Sequence, residues 1–236
     1  LYDFIPELIQ SQRTSLKRYP PLGSEMRVTR VVVKILNPRE STNKEMIINR
    51  HLIQFCQSYN RYKNYFGGDP ICPFLLSRQL PFKGHYTFQW SEALNVDLWE
   101  YTNKYLHRLV GGPGFPFPIV TKIMLQLTSG MIALHNAGVA HCDFKADQCL
   151  LAFRDIGDLS LISKVLIADF GHSGLLATNG KSWATNARPG VGAFDHQPLS
   201  NFYKIKPKNL TDPFYNDIFA LGVTFSRLLG SDEIRE

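Results

Sequence analysis

His141-Cys142-Asp143-Phe144-Lys145-Ala146-Asp147-Gln148-Cys149-Leu150-Leu151 sets chargeable side chains directly ahead of an apolar run. The first part has no repeating apolar face and reads as a loop. The run Gln148–Phe153 is short and largely apolar, which fits a strand. Asp143, Lys145 and Gln148 fall at offsets 0, +2 and +5, so an acid, a cation and an amide leave the chain within six residues.

The flanking segments have a clear order. Upstream, Val120, Ile123, Leu127, Met131 and Leu134 recur at helical spacing and mark a long helix. It ends at Asn136-Ala137-Gly138, where Gly138 suits the left-handed residue that closes a helix. Downstream, residues 155–163 read as a polar turn. Val165–Ala168 is then a second strand, running into Asp169-Phe170-Gly171. From Gly171 to Pro198 the composition shifts to Gly, Ser, Thr, Asn and Pro. Asp217-Ile218-Phe219-Ala220-Leu221-Gly222 opens a helix expected over 215–229.

The first 90 residues read differently. Residues 1–25, with Pro6, Pro20 and Pro21, suggest a short helix and a loop. Met26–Leu36 is rich in β-branched residues and reads as a strand, ending in Val31-Val32-Val33-Lys34. Asn37-Pro38 breaks it. Ile48, Leu52, Phe55 and Tyr59 then define an amphipathic helix over Thr42–Tyr59. Glu45 is the only acid between positions 41 and 68. Gly67–Pro70 is a turn, and Ile71–Leu80 and His85–Trp90 read as two further strands. Ser91–Asn95 links this part to a helix opening at Asp97, and Gly111–Pro118 is a loop by composition.

Together these blocks resemble protein kinases. Leu134-His135-x-x-Gly138 followed by His141-x-Asp143 is similar to the family's catalytic-loop approach. The offsets of Asp143, Lys145 and Gln148 match the loop H-R-D-x-x-x-x-N, with Gln148 where the family has Asn. Asp169-Phe170-Gly171 resembles the metal-binding triplet, Val31–Lys34 the V-A-I-K strand, and Asp217–Gly222 the start of the central helix of the C-terminal lobe. Five blocks in family order thus cover positions 31 to 222. Aminoglycoside-type small-molecule kinases generally lack a Lys at +2 and the Asp-Phe-Gly triplet, so Lys145 and Asp169 speak against them.

The resemblance implies an α+β, bilobal protein kinase-like fold. Residues 1–90 would be a small β-sheet lobe (strand 26–36, helix 42–59, strands 71–90). Residues 91–236 would be a mainly helical lobe, with hinge 91–95, catalytic loop 141–148, triplet 169–171 and helix 215–229. Asp143 would accept the substrate hydroxyl proton and Lys145 would neutralise the transferring phosphoryl group. Asp169 and Gln148 would hold Mg²⁺, and Lys34 would position the ATP phosphates with Glu45 as its partner. Taken alone, Lys34 reads first as a solvated strand end, and Glu45 can equally be a first-turn acid favoured by the helix dipole. Phe170 and His141 would pack inward. Asp217 would anchor the loop from below. Lys145 at +2 is similar to Ser/Thr-directed members.

Two departures argue for weak or absent transfer. Gln148 is one methylene longer than Asn, which strains the near-ideal geometry that Mg²⁺ demands. Gly23 is the only glycine among the first 66 residues, so the glycine-rich loop over the phosphates is missing. That absence, with the other blocks kept, resembles the secreted rhoptry-type With-No-Gly-loop kinases and pseudokinases of apicomplexan parasites. The expectation is a pseudokinase acting as a secreted binding or scaffold module in the parasitophorous vacuole or cyst, with vacuolar proteins as partners. The alternative is an active Ser/Thr kinase using ATP and a divalent metal. Cys142 stands where the family has an Arg that pairs with an activation-loop phosphate, so that switch is expected to be missing.

Composition bounds the rest. The chain has 236 residues, 44% hydrophobic and 19% charged, a globular balance. The net charge of +6 is spread out, with no basic tract for nucleic acid. No apolar stretch is expected to span a bilayer, and the first residues lack a signal-peptide pattern. Cys56, Cys72, Cys142 and Cys149 have no C-x-x-C spacing, which argues against zinc. Cys56 and Cys72 could pair in an oxidising compartment; otherwise all four are buried thiols.

Overall fold

The computed structural model describes residues 31–36, 42–59, 74, 78–82, 86–92, 94–106, 117–155, 158–177, 180, 194–197 and 213–230. Leu1–Arg30 and Val31–Glu236 are two compact units, and every described residue belongs to the second. The helix expected in residues 1–25, the strand start at Met26, the Gly67–Pro70 turn, Cys72, most of the 178–198 segment and the Lys34 side chain lie outside the described residues.

The architecture is α+β, helices with small antiparallel sheets, and is compatible with a kinase-like arrangement. Strand β1 (Val31–Leu36) pairs with β3 (Tyr86–Glu92), which pairs in turn with β2 (Arg78–Phe82). The register sets Lys34 opposite Gln89 and Leu80 opposite Phe88. Pro81 has no N–H to donate, and β2 is an edge strand of that sheet, where this loss is tolerated. The strand expected from Ile71 begins at Arg78; within 71–77 only Phe74 is described, and it makes a lone bridge to Ile167.

Helix α1 spans Thr42–Tyr59, the bounds that its apolar spacing predicts. Ile48 and Leu52 are fully buried in the main core; burial of such side chains contributes about 1.5–3 kcal/mol each. Strand β4 (Val96–Asp97) leads into α2 (Leu98–Glu100), capped where the Glu100 N–H donates to Asp97 Oδ1 at 2.7 Å. The helix continues as a wider π turn over Tyr101–Leu106. There Thr102 and Asn103 donate to the carbonyls four residues back, competing with the regular ladder.

Helix α3 (Phe117–Asn136) buries Val120, Ile123, Leu127, Met131 and Leu134. By length and composition alone it is apolar enough to cross a membrane, which corrects the expectation that no stretch reaches that length. Its apolar face packs on the strand Asp158–Ile167 and on the last helix, so its hydropathy also serves a folded core. Gly138 closes it with φ +70° and its N–H on the His135 carbonyl.

Strand β5 (Val139–Ala140) pairs with β8 (Gly174–Leu175). Strands β6 (Cys149–Asp155) and β7 (Asp158–Ile167) form a hairpin that closes across Asp155 and Asp158. This overturns the polar turn expected over 155–163. Polar Ser160, Ser163 and Lys164 hide a strand whose backbone partners come from β6. Its inward positions are filled by Ile162, Val165 and Ile167. Helix α4 (Pro213–Leu228) begins two residues before the expected 215 and buries Asn216, Asp217, Ala220, Leu221 and Thr224.

Candidate functional site

The loop between β5 and β6 is held from below by α4. Asp217 is 1% exposed. Its Oδ2 accepts the His141 N–H at 2.7 Å, its Oδ1 accepts the Cys142 N–H at 2.9 Å, and His135 Nε2–H donates to Oδ2 at 3.0 Å. A carboxylate can only accept, so all three neighbours are donors. Cys142 takes φ +66° at this point, a left-handed backbone uncommon for a residue with a Cβ. The anchoring expected of Asp217 is what the geometry provides.

His141 is fully buried and works inward. Its Nε2 lies 2.9 Å from the Ala168 carbonyl, which must accept, so the ring proton sits on Nε2. Nδ1 then accepts the Asp143 N–H at 3.4 Å. One ring therefore ties the loop to the strand end before Asp169. Phe170 stands 5.6 Å from the His141 ring and 6.0 Å from Phe74, and Phe144 stacks edge-on to His141 at 5.7 Å. Phe170 and His141 are core supports, as expected, and they fix where Asp143 and Asp169 emerge.

The charges of Asp143 and Asp169 both act on Lys145. The Lys145 ammonium meets Asp147 Oδ2 at 3.1 Å. Its pKa is raised, first by the Asp147 hydrogen bond against the opposing pull of burial, then by the charges of Asp147, Asp143 and Asp169. The lysine stays about a quarter exposed (27%), so the field is partly screened by water. Asp169 is exposed, with φ +60°, and its Oδ1 accepts the Gly171 N–H at 3.3 Å.

Gln148 ends a 3₁₀ turn, Ala146–Gln148, and its backbone carbonyl accepts the Ala168 N–H at 2.9 Å. This bond sets Gln148 beside the strand end that carries Asp169. Among the described residues no group of three His, Cys, Asp or Glu could hold a metal by itself. Mg²⁺ typically takes one or two carboxylates and completes its shell with phosphate oxygens and water. If a magnesium–phosphate ligand binds here, the exposed Asp169 and Gln148 are the residues that would hold its metal.

Glu45 is 3% exposed, and a Cβ on Gly171 would lie 3.9 Å from its Oε2 and 3.3 Å from Asp169 Oδ1. A first-turn acid serving only the helix dipole would stay in water, so this burial goes beyond that role. Lys34 lies on β1 opposite Gln89. Cys142 faces inward: burial, then the charge of Asp217, pushes its thiol up to about 12.

Three contacts escaped the sequence. Lys44, next to Glu45, donates to the His172 carbonyl at 3.0 Å. Asp147 takes Lys145. At the far end of the segment, His196 is 6% exposed between Asp195 (Nδ1 to Oδ1, 3.1 Å) and Arg227 (Nε2 to Nη1, 3.3 Å), and Arg227 also bonds Asp195. The adjacent acid and histidine were a faint signal; their partner lies 31 residues on from His196.

No protein-family model matches the chain. Over 106 residues, 45% of its length, it is 27% identical to the probable serine/threonine-protein kinase KKQ8 of Candida glabrata. The chain spans 12% of that protein's length. This similarity supports a kinase-like relationship, in agreement with the loop, triplet and anchoring helix described above.

Proposed function

We propose that the chain is a kinase-like domain that receives a magnesium–nucleotide phosphate at Asp143, Lys145 and Asp169, transfers phosphate weakly or not at all, and acts as a pseudokinase binding module. The observation that carries this reading is the engagement of Lys145 by Asp147 at 3.1 Å, in a cluster that also includes Asp143 and Asp169. The cation expected at a transferring phosphoryl group is already matched by a carboxylate of its own loop. Gln148 in place of Asn, and the missing glycine-rich loop, add to it.

A second reading, an active Ser/Thr kinase, draws support from the anchored loop and from the charges of Asp143 and Asp169 that act on Lys145. In that case Asp143 orients and deprotonates the hydroxyl, and Lys34 holds the α- and β-phosphates. Thermal shift with ATP and Mg²⁺ or Mn²⁺, followed by radiolabel transfer with an Asp143→Ala control, separates the two. Shift without transfer supports the pseudokinase. Transfer abolished by Asp143→Ala supports the enzyme, and no shift with either metal removes the nucleotide site. Gln148→Asn should strengthen the metal-dependent shift if the longer amide is the defect.

The finer assignment to rhoptry-type With-No-Gly-loop kinases, secreted and acting on vacuolar proteins, draws its support from the single glycine in the first 66 residues. Retention of the tagged protein inside the cell that makes it would overturn the secreted reading.

A further inference from the structure

We propose that Lys44 is a positioning residue through which helix α1 sets the turn that presents Asp169. Asp169 holds φ +60° without being glycine, a conformation that persists only where its surroundings impose it. Four of the hydrogen bonds around this turn bear on how it is held. Gly171 N–H donates to Asp169 Oδ1 at 3.3 Å, Ser173 N–H to the Phe170 carbonyl at 3.2 Å, and His141 Nε2–H to the Ala168 carbonyl at 2.9 Å. These three arise within the turn or from the loop beneath it. The fourth comes from α1, where Lys44 Nζ donates to the His172 carbonyl at 3.0 Å.

The neighbouring residue strengthens the grip. Glu45 is buried with its carboxylate near Gly171, so two consecutive residues of α1 meet opposite ends of Gly171-His172. The Lys44 charge also faces Cys142, where it opposes the upward push of burial on the thiol. The ammonium thus lies near both the loop and the turn. Loss of this donor would loosen the turn that carries Asp169. The consequence for metal binding rests on the proposed role of Asp169; the contact itself does not.

The test is hydrogen exchange of the full chain, comparing wild type, Lys44→Met and Lys44→Arg. Lys44→Met should speed exchange in peptides covering Phe170–Ser173 about two- to tenfold, the range for losing one hydrogen bond. Exchange in the interior of α3 should stay unchanged, and Lys44→Arg should restore the turn. Unchanged exchange at the turn overturns the proposal, as does equal acceleration in α3, which would mean general destabilisation. If wild type shows a thermal shift with Mg²⁺–ATP, its Kd should rise by the same factor in Lys44→Met, and an unchanged Kd would refute the coupling. If wild type shows no shift while the exchange result holds, the nucleotide reading fails and the positioning role stands.

Discussion

Replacing Asp217 by alanine tests how the site is held together. The carboxylate is 1% exposed and accepts two backbone N–H groups, at 2.7 and 2.9 Å, besides the His135 ring. A hydrogen bond to an ionised acceptor contributes about 1.5–3 kcal/mol, and a buried donor left without one costs about 1–3 kcal/mol. His135 is partly exposed and can turn to water, so the two peptide donors decide the sum. The expected loss is on the order of 3–5 kcal/mol, similar to breaking a buried charge pair. In a domain of this size each kcal/mol moves the melting point by about 2–4 °C, so Asp217→Ala should melt about 6–20 °C lower. Asp217→Asn keeps one acceptor and should lose roughly half as much. Urea unfolding followed by tryptophan fluorescence reads the difference as a shift in midpoint at constant slope. Asp147→Ala is the comparator, since its partly exposed pair with Lys145 should be worth about 0–1 kcal/mol. If Asp217→Ala costs no more than Asp147→Ala, the loop is held by something else and the anchoring argument is wrong.

Stability should fall on acidification in two stages, because two groups at the segment end bind protons less readily when folded. Burial lowers His196 below its ordinary 6.5, so its contribution is complete above pH 6.5 and is lost as pH falls below that value. For Asp195, burial pushes upward but the hydrogen bonds from Arg227 and His196 outweigh it, bringing it to about 2; a second loss runs from about 3.8 to about 2. Urea midpoints measured against pH should show both stages, with His196→Gln flattening the first. Cys142, pushed up to about 12, should resist iodoacetamide at neutral pH by about a thousandfold relative to a free thiol, and Cys149, fully buried and also raised by burial, should resist it too. Peptide mapping before and after urea checks this; native labelling of either would contradict it. Gly138→Ala forces a Cβ into φ +70° and should cost about 1 kcal/mol. Gly222→Ala, in α4 with open space around it, should instead stabilise by about 0.5–1 kcal/mol. Opposite signs in the two melting shifts are the expected result.

Several of these features were legible before any coordinates. The bounds of α1 followed from Ile48, Leu52, Phe55 and Tyr59, and the end of α3 from Gly138, because helix periodicity and termination are local. The anchoring role of Asp217 followed from its motif, although the motif did not name His135 as the third donor. Strand β7 was missed up to Lys164, seven of its ten residues. Residues 158–164 look polar, and only the ladder supplied by β6 makes them a strand.

Residue order alone thus determined which side chains the loop and triplet carry, where the main helices run, and that one glycine serves the first 66 residues. Those properties depend on spacing along the chain. Tertiary structure decided that Lys44, not only its neighbour Glu45, reaches the Asp169 turn. It likewise decided that Asp147 engages Lys145, and that Asp195 and His196 close on Arg227. Two adjacent charges look alike in a sequence, and which one finds a carbonyl depends on how a helix is rotated against a distant turn. Hydrogen bonds between groups 31 to 128 residues apart have no local signature, because their geometry exists only once the core has packed.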